Sequence, residues 1–281
     1  TRRPSCNWKI CYSNNKKIDY IKQAIFCAKK IKKHLDLPVA LATNSKNYLK
    51  RAYPDHFHLF DYVIDNDYET TQMRRFSNGS LHQTLPWNNF TRCESYDITP
   101  FDKTLVIDTD FLVGNDNLLK CFKDDSLKIN KDIVDCNPQR GDTKLQRISD
   151  SSLDMYWATV FYFSKNNLVS KTFFDLVKHI RDNWSFYKLQ YQMNTNHFRN
   201  DHAFTIALHL LENPQIDLPC KLFFTTDKDK LLSINAEKYN FLISTTEFLK
   251  SDTVCSVENV NIHIMNKFTL MNEIDKVLAH D

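Results

Sequence analysis

The sequence predicts an α/β fold, in which a mixed, mostly parallel central sheet is flanked by helices. Two observations favour this class. Over the first 64 residues, short apolar segments with strand character alternate with segments whose apolar residues recur at helical spacing, as in a doubly wound, nucleotide-binding fold. The chain is also long enough to bury one large core, because 42% of its 281 residues are hydrophobic.

The first half of the chain supplies the alternation. Residues 8–12 form the first predicted strand, and apolar residues such as Ile21, Ile25 and Ala28 predict a helix over residues 18–35. Two further strands follow, separated by a short helix that begins after the cap residue Ser45. The predicted boundaries are 37–44 for the second strand, 45–53 for the short helix and 60–64 for the third strand.

Residues 66–86 interrupt this pattern. The segment is polar and contains Gly79. A long loop inside a compact domain is usually a lid, a binding loop or a disordered segment. We therefore expect residues 66–86 to act as a lid over a bound ligand.

The second half contains apolar strands and two amphipathic helices. Asn200 is the predicted cap of the later helix. The predicted helices span 88–97, 168–183 and 201–211, and the predicted strands span 104–107, 132–136, 155–163, 221–224 and 261–264.

Composition excludes several classes of site. With 3 glycines the chain has no Gly-rich phosphate loop, so a diphosphate site must rely on a metal and cationic side chains. A net charge of +3 does not indicate a nucleic-acid-binding protein. The 8 cysteines are scattered and no apolar run reaches transmembrane length, so we expect free thiols and a cytoplasmic location, in the host cytoplasm if the chain is viral.

Two carboxylates follow the predicted strand 104–107. Asp108 and Asp110 are separated by one residue, so an extended chain would place both side chains on one side. Two close carboxylates repel each other unless a cation lies between them, and oxygen ligands suit Mg²⁺ or Mn²⁺. A lone Asp-x-Asp is also compatible with a strand that runs into an acidic turn.

Three segments resemble motifs of the GT-A-type glycosyltransferases, which use nucleotide-sugar donors. Residues 90–110 resemble the helix, connector and metal strand of that superfamily, nearest to the glycogenin-like branch, glycosyltransferase family eight. Residues 199–204 resemble its acidic motif at the start of a late helix, and residues 260–267 its late metal-binding strand. The resemblance implies a single Rossmann-like GT-A domain over 8–281, with a nucleotide-binding half at 8–113 and an acceptor-binding half at 114–281. Residues 1–7 are expected to be a tag remnant or a disordered start.

The resemblance also implies a metal site and a diphosphate site. Asp108, Asp110 and His263 would hold Mn²⁺ or Mg²⁺, and Lys267 would meet the diphosphate of the sugar donor, for which we expect a UDP-sugar. Arg92 falls where related enzymes place a basic residue against the donor. A histidine inside an apolar strand is also compatible with a core residue.

Further donor contacts are predicted at strand ends and in the polar segment. Tyr12, Ser13 and Asn14 would support the base, and Thr43 and Asn44 would contact the base or ribose. Ordinary turn chemistry explains each of these residues equally well. Arg74 would pair with phosphate oxygens through its guanidinium, or lie on the surface.

Asp201 is the candidate catalytic carboxylate, together with Arg92. At a helix amino end it would act as a general base in an inverting enzyme, or stabilise positive charge in a retaining one. It would otherwise only cap the helix. The predicted function is transfer of a sugar from a nucleotide-sugar to an acceptor hydroxyl, on a glycan, a protein, a lipid-linked sugar or a hydroxylated base of viral DNA. The alternatives are a sugar-phosphate nucleotidyltransferase and a non-catalytic sugar-binding protein of the same fold.

Overall fold

The structure is a computed structural model. It describes residues 11–13, 16–65, 73–78, 81–86, 90–131, 133–137, 147–149, 153–193, 195, 197–212, 217–243 and 252–279. For residues 11–13, 16–17, 73–78, 81–83, 85–86 and 90–91 only the backbone is considered. The predicted α/β class is confirmed, and none of the described helices is both long and apolar enough to cross a membrane.

The first half of the chain forms short strands and three α-helices. A 3₁₀ helix at Pro54–Leu59 precedes the third predicted strand, and another at Phe90–Glu94 replaces most of the predicted helix 88–97. The elements are β1 (Cys11–Ser13), β2 (Lys16–Ile18), α1 (Tyr20–Leu35), β3 (Ala40–Thr43), α2 (Lys46–Ala52), β4 (Tyr62–Asp65), β5 (Met73–Asn78), β6 (Leu81–Pro86), α3 (Ser95–Ile98), β7 (Lys103–Ile107) and β8 (Phe111–Leu112).

The second half adds the remaining strands and the long helices. A 3₁₀ helix at Asn117–Lys123 leads into it. The elements are β9 (Lys128–Asn130), β10 (Ile133–Asp135), β11 (Trp157–Ser164), α4 (Leu168–Asp182), α5 (Trp184–Gln190), α6 (Asn200–Leu210), β12 (Leu222–Thr225), β13 (Lys230–Asn235), β14 (Lys238–Ile243), β15 (Thr253–Glu258), β16 (Ile262–Ile264) and α7 (Lys267–Leu278).

Helix α1 shows why its boundaries fall where they do. The Asp19 carboxylate accepts hydrogen bonds from the N–H groups of Ile21 (3.0 Å) and Lys22 (3.1 Å), which satisfies two amides of the first turn. The helix ends at Asp36, which adopts a left-handed conformation with φ 50°. The α6 prediction needs a correction, because the N-cap is Arg199 and Asn200 is already helical.

The predicted mostly parallel central sheet is not observed. Among the described strands, three of ten pairings are parallel, namely β3 with β4, β10 with β12 and β12 with β16. β10, β12, β16 and β8 form a four-stranded sheet in that order, and β7, β11 and β9 form a separate three-stranded sheet. β11 runs antiparallel to both of its neighbours, which is why the parallel pattern breaks in the middle of the fold.

One further prediction failed locally, and one sheet had not been predicted. β5 and β6 pair as an antiparallel hairpin inside the predicted loop 66–86, because a polar segment satisfies its own backbone groups through a two-stranded ladder. The antiparallel meander of β13, β14 and β15 was not predicted from the sequence. Only the last two residues of the predicted strand 8–12 are described, in β1, which pairs with β2.

The main core surrounds β11. All eight residues of this strand are buried, because α4 and α6 pack on its sheet. Phe161, Phe163, Phe174 and Phe204 meet at ring-centroid distances between 4.9 and 6.4 Å, largely in edge-to-face or tilted pairs. This packing fixes the position of the α6 amino end relative to β11.

Candidate metal centre

A tight turn, not an extended strand, brings the two carboxylates together. Asp108 follows the end of β7, and its N–H donates to the carbonyl of Thr159 on β11 at 3.0 Å. The Phe111 N–H then donates back to the Asp108 carbonyl at 3.0 Å, which closes the turn before β8. Asp108 and Asp110 therefore share one site through a turn anchored on β11, which differs from the extended geometry that the sequence predicted.

Strand β16 brings the histidine to this turn. His263 is paired with Phe111 in the ladder between β16 and β8, and the Ile264 N–H donates to the Asp110 carbonyl at 3.0 Å. The neighbours Ile262 and Ile264 pack into an apolar cluster, so the alternation of the strand turns His263 away from it. The His263 Nε2 lies 3.3 Å from Asp110 Oδ2, and one ligand atom from each of Asp108, Asp110 and His263 lies within 4.8 Å of the others.

Two cations pair with the carboxylates. Lys267, the first residue of α7, contacts Asp110 through its ammonium group, and Arg92 contacts Asp108 through its guanidinium. Burial of Asp110 would raise the pKa of its carboxyl, but Lys267 and His263 together hold that pKa well below its usual range. Asp110 is therefore ionised at neutral pH in spite of being buried.

The donor set fits a divalent cation. Asp110 Oδ1 and His263 Nδ1 are buried and accept or donate no hydrogen bond among the described residues. A buried carboxylate oxygen without a donor is costly, and a cation would satisfy it. Two carboxylates with one imidazole suit Mn²⁺ better than Mg²⁺, because Mg²⁺ prefers oxygen ligands alone.

Asp201 lies in the first turn of α6 and bonds to groups outside that helix. Its Oδ1 accepts the Ala158 N–H of β11 at 2.9 Å, and its Oδ2 accepts from Arg199 at 2.8 Å. Burial alone would raise the pKa of Asp201, but the positive charges of Arg199 and Arg92 outweigh this effect and lower the pKa to about 2. The bonds to Ala158 and Arg199 account for both oxygens, so a simple helix cap does not describe this residue.

Arg92 links the two acidic sites. Burial lowers the pKa of its guanidinium, but Asp108 and Asp201 outweigh this and raise it. The Arg92 guanidinium is paired with Asp108, and the charge of Asp201 also favours its protonated form. Each of the three carboxylates is thus paired with a cation: Asp110 with Lys267, Asp108 with Arg92, and Asp201 with Arg199.

Of the predicted base and ribose contacts, the structure describes the side chains of Thr43 and Asn44. Thr43 accepts the Ser45 N–H at 3.0 Å and Asn44 accepts the Ser45 hydroxyl at 3.2 Å, so both hold the turn that enters α2. Tyr12 and Ser13 belong to β1 and Arg74 to β5, but their side chains lie outside the described ones. Asn14 lies outside the described residues.

Sequence reasoning assigned no role to three residues at the centre. Arg199 pairs with Asp201, and its position two residues earlier was the available signal. Tyr20 is the second of these residues, and its ring centroid lies 5.6 Å from the Lys267 ammonium group. No local sequence pattern indicates this contact, because the two residues are far apart along the chain. The Cys27 thiol lies 3.4 Å from the Phe111 carbonyl, beneath the turn.

A cavity of about 350 Å³ adjoins the centre. Arg92 and Asp108 belong to its lining, and most of the remaining lining comes from β3, β7, the carboxyl end of α1 and the residues directly before β3 and β7. No protein-family model matches the chain, and neither a curated protein nor a solved structure matches it significantly.

Proposed function

We propose that this protein is a metal-dependent glycosyltransferase that moves a sugar from a nucleotide-sugar to an acceptor hydroxyl. The observation that carries the proposal is the convergence of Asp108, Asp110 and His263 from distant parts of the chain, beside the two cations Arg92 and Lys267. Such a site offers oxygen and nitrogen ligands to a divalent ion and positive groups to a diphosphate.

Charge balance supports this pairing of metal and diphosphate. A diphosphate cannot approach Asp108 and Asp110 closely unless positive charge intervenes, because like charges repel across a few ångströms. A bound Mn²⁺ would supply that charge and act as a Lewis acid on the departing diphosphate. With the carboxylates on the ion, Arg92 and Lys267 would be released to bind phosphate oxygens, Arg92 through its planar fork and Lys267 as a point charge.

The low pKa of Asp201 bears on its role. A general base works best when its pKa lies near the working pH, and a carboxylate whose pKa is about 2 is a weak base. Held by Ala158 and Arg199, the Asp201 carboxylate is better suited to stabilise positive charge on the sugar or to orient a hydroxyl. We therefore favour an electrostatic and positioning role for Asp201.

A thermal-shift panel of nucleotide-sugars with and without Mn²⁺ tests the proposal. We expect one class of donor, UDP-sugars first, to raise the melting temperature only when Mn²⁺ is present. Asp110→Asn should remove this response, whereas Asp275→Asn, which breaks the exposed ion pair with Lys22, should leave it intact. A panel in which no nucleotide-sugar stabilises the protein in the presence of Mn²⁺ would contradict the proposal.

Product analysis separates the remaining activities. A glycosyltransferase releases nucleoside diphosphate from the donor when Mn²⁺ is present. Without an acceptor it does so at least slowly, because water then takes the sugar. A nucleotidyltransferase instead releases pyrophosphate from a nucleoside triphosphate and a sugar phosphate, and a sugar-binding protein releases neither. Acceptors to be compared are a glycan, a protein, a lipid-linked sugar and DNA with hydroxylated bases.

A further inference from the structure

Helix α1 carries a fully buried amide that has no hydrogen-bond partner. The side chain of Gln23 is 0% exposed, and neither its Nε2 nor its Oε1 forms a hydrogen bond to any part of the chain that the structure describes. A carboxamide has two donor hydrogens and an acceptor oxygen, and burying these groups unpaired destabilises a protein. We therefore expect Gln23 to bind a group that the protein itself does not supply.

The neighbours of Gln23 on α1 show which way its side chain points. Residues three or four positions apart lie on one face of a helix, so Gln23 shares a face with Tyr20 and Cys27. The Tyr20 ring centroid lies 5.6 Å from the Lys267 ammonium group, and the Cys27 thiol lies 3.4 Å from the Phe111 carbonyl oxygen. The face that carries Gln23 therefore extends from that ammonium group to the amino end of β8.

Asp110 lies between the same two contacts. It directly precedes Phe111 in the chain, and its carboxylate pairs with Lys267. Asp110 Oδ1 and His263 Nδ1 are also buried and have no hydrogen-bond partner within the described structure. The unpartnered polar atoms of Gln23, Asp110 and His263 therefore belong to one region. Because none of these atoms is hydrogen-bonded to another, a bridging group is needed to satisfy them.

We propose that Gln23 is a positioning residue of the metal centre, and that its carboxamide oxygen holds a water molecule on the bound ion. A divalent ion with three protein ligands keeps water in its remaining coordination positions. The ion makes the hydrogens of such a water stronger donors, and the buried Oε1 is an acceptor without a competing donor. Gln23 bonds directly to neither Asp110 nor His263, which is why we assign the link to a water.

The inference rests on the metal centre of the proposed function, but it does not depend on sugar transfer. Groups that orient the ligands of a metal ion typically contribute about 10–100-fold to its affinity. The size of this effect makes the role of Gln23 measurable by metal binding alone, without a nucleotide or an acceptor.

Calorimetric titration of the metal-free full chain with Mn²⁺ tests the proposal. Gln23→Leu approximately keeps the size of the side chain and removes its polar atoms, so it should raise the dissociation constant of Mn²⁺ by about 10-fold or more. The free energy of unfolding of the metal-free protein should not fall, because an apolar group replaces an unpaired buried amide. Gln190→Leu, the same change at an exposed glutamine of α5, is the matched control and should alter neither quantity.

A second variant and a second measurement separate positioning from packing. Gln23→Glu retains an acceptor oxygen, so it should bind Mn²⁺ at least as tightly as the native protein does. Relaxation of water protons by the bound Mn²⁺ should show the same number of waters on the ion in Gln23→Leu, but faster exchange, because the hydrogen bond to Oε1 is lost. One additional water on the ion in Gln23→Leu would identify Gln23 as a direct ligand and would overturn the proposal.

The failure of this proposal is distinguishable from the failure of the metal centre. If Gln23→Leu and the native protein bind Mn²⁺ equally well, the role of Gln23 is refuted and the metal centre stands. If Gln23→Leu loses stability together with metal affinity, the residue serves packing and the proposal is also overturned. A native protein that does not bind Mn²⁺ would refute the metal centre, and with it both this proposal and the proposed function.

Discussion

At the scale of single residues, the role of His263 is the sharpest question that the site raises. Its Nδ1 has no partner among the described residues and its Nε2 faces Asp110. His263→Gln should raise the Mn²⁺ concentration needed for half-maximal activity about 10-fold or more. The free energy of unfolding of the metal-free protein should change by less than about 1 kcal/mol. Activity titrations and chemical denaturation on the same variant measure both, and lost stability with unchanged metal demand would identify a core histidine.

His202, the neighbour of Asp201, makes stability depend on pH. Burial and then Arg199 lower the pKa of His202 from 6.5 to about 3, and its ring stacks against Trp184 at 6.3 Å. The pKa of His202 is lower in the folded protein than in the unfolded chain. The stability that neutral His202 contributes is therefore fully present above about pH 6.5, and it is lost at lower pH because the unfolded chain then takes up a proton on this residue.

The pH prediction follows from that sign. Between about pH 7 and pH 5 this one histidine should cost the native protein about 2 kcal/mol of unfolding free energy. His202→Gln should remove that portion of the acid sensitivity. Denaturant titrations of both proteins at the two pH values measure it, with His209→Gln as a control on a histidine of the same helix. Parallel pH profiles for the native protein and His202→Gln would contradict the prediction.

At the scale of elements, the contact between β8 and the entry to β16 tolerates no side chain at Gly114. A Cβ built there would lie 2.3 Å from the Val260 carbonyl oxygen, and the Gly114 N–H donates to Asn261 at 3.0 Å. Gly114→Ala must push backbone away from backbone, so it should destabilise the protein by about 1–3 kcal/mol and weaken Mn²⁺ binding. Denaturation and metal titration measure these effects, and the exposed Lys123→Ala is the control. Unchanged stability would show that β8 and β16 separate easily.

The hairpin β5–β6 replaces the loop that the sequence predicted, but the closing motion stays a prediction. We expect the hairpin to pack over bound donor and exclude water from the activated sugar. Trypsin should then cleave after Arg74 or Arg75 more slowly when UDP and Mn²⁺ are both present. Asp110→Asn, which should not bind the pair, should show no protection. Equal cleavage of the native protein in both conditions would remove the lid.

The whole molecule shows which features are readable from the sequence. Helices α1, α4 and α6 were predicted to within a few residues, because their apolar spacing and caps are local signals. The Asp108–Asp110 pair was equally visible. The division of the sheet was not, since pairings such as β8 with β16 join residues more than 140 positions apart. The contact between Lys267 and Asp110 depends on that same pairing.

The salt bridge between Lys267 and Asp110 also has a thermodynamic consequence for the whole molecule. An ion on the unpartnered Asp110 Oδ1 would compete with the Lys267 ammonium group for the charge of this carboxylate, and a diphosphate that binds the ammonium group would leave both oxygens to the ion. Metal and nucleotide should therefore be reciprocal effectors, each tightening the other by the same factor, about 5–150-fold. Calorimetric titration of UDP with and without Mn²⁺, and of Mn²⁺ with and without UDP, should close this cycle. Lys267→Met should shrink the factor towards unity while Mn²⁺ alone binds more tightly.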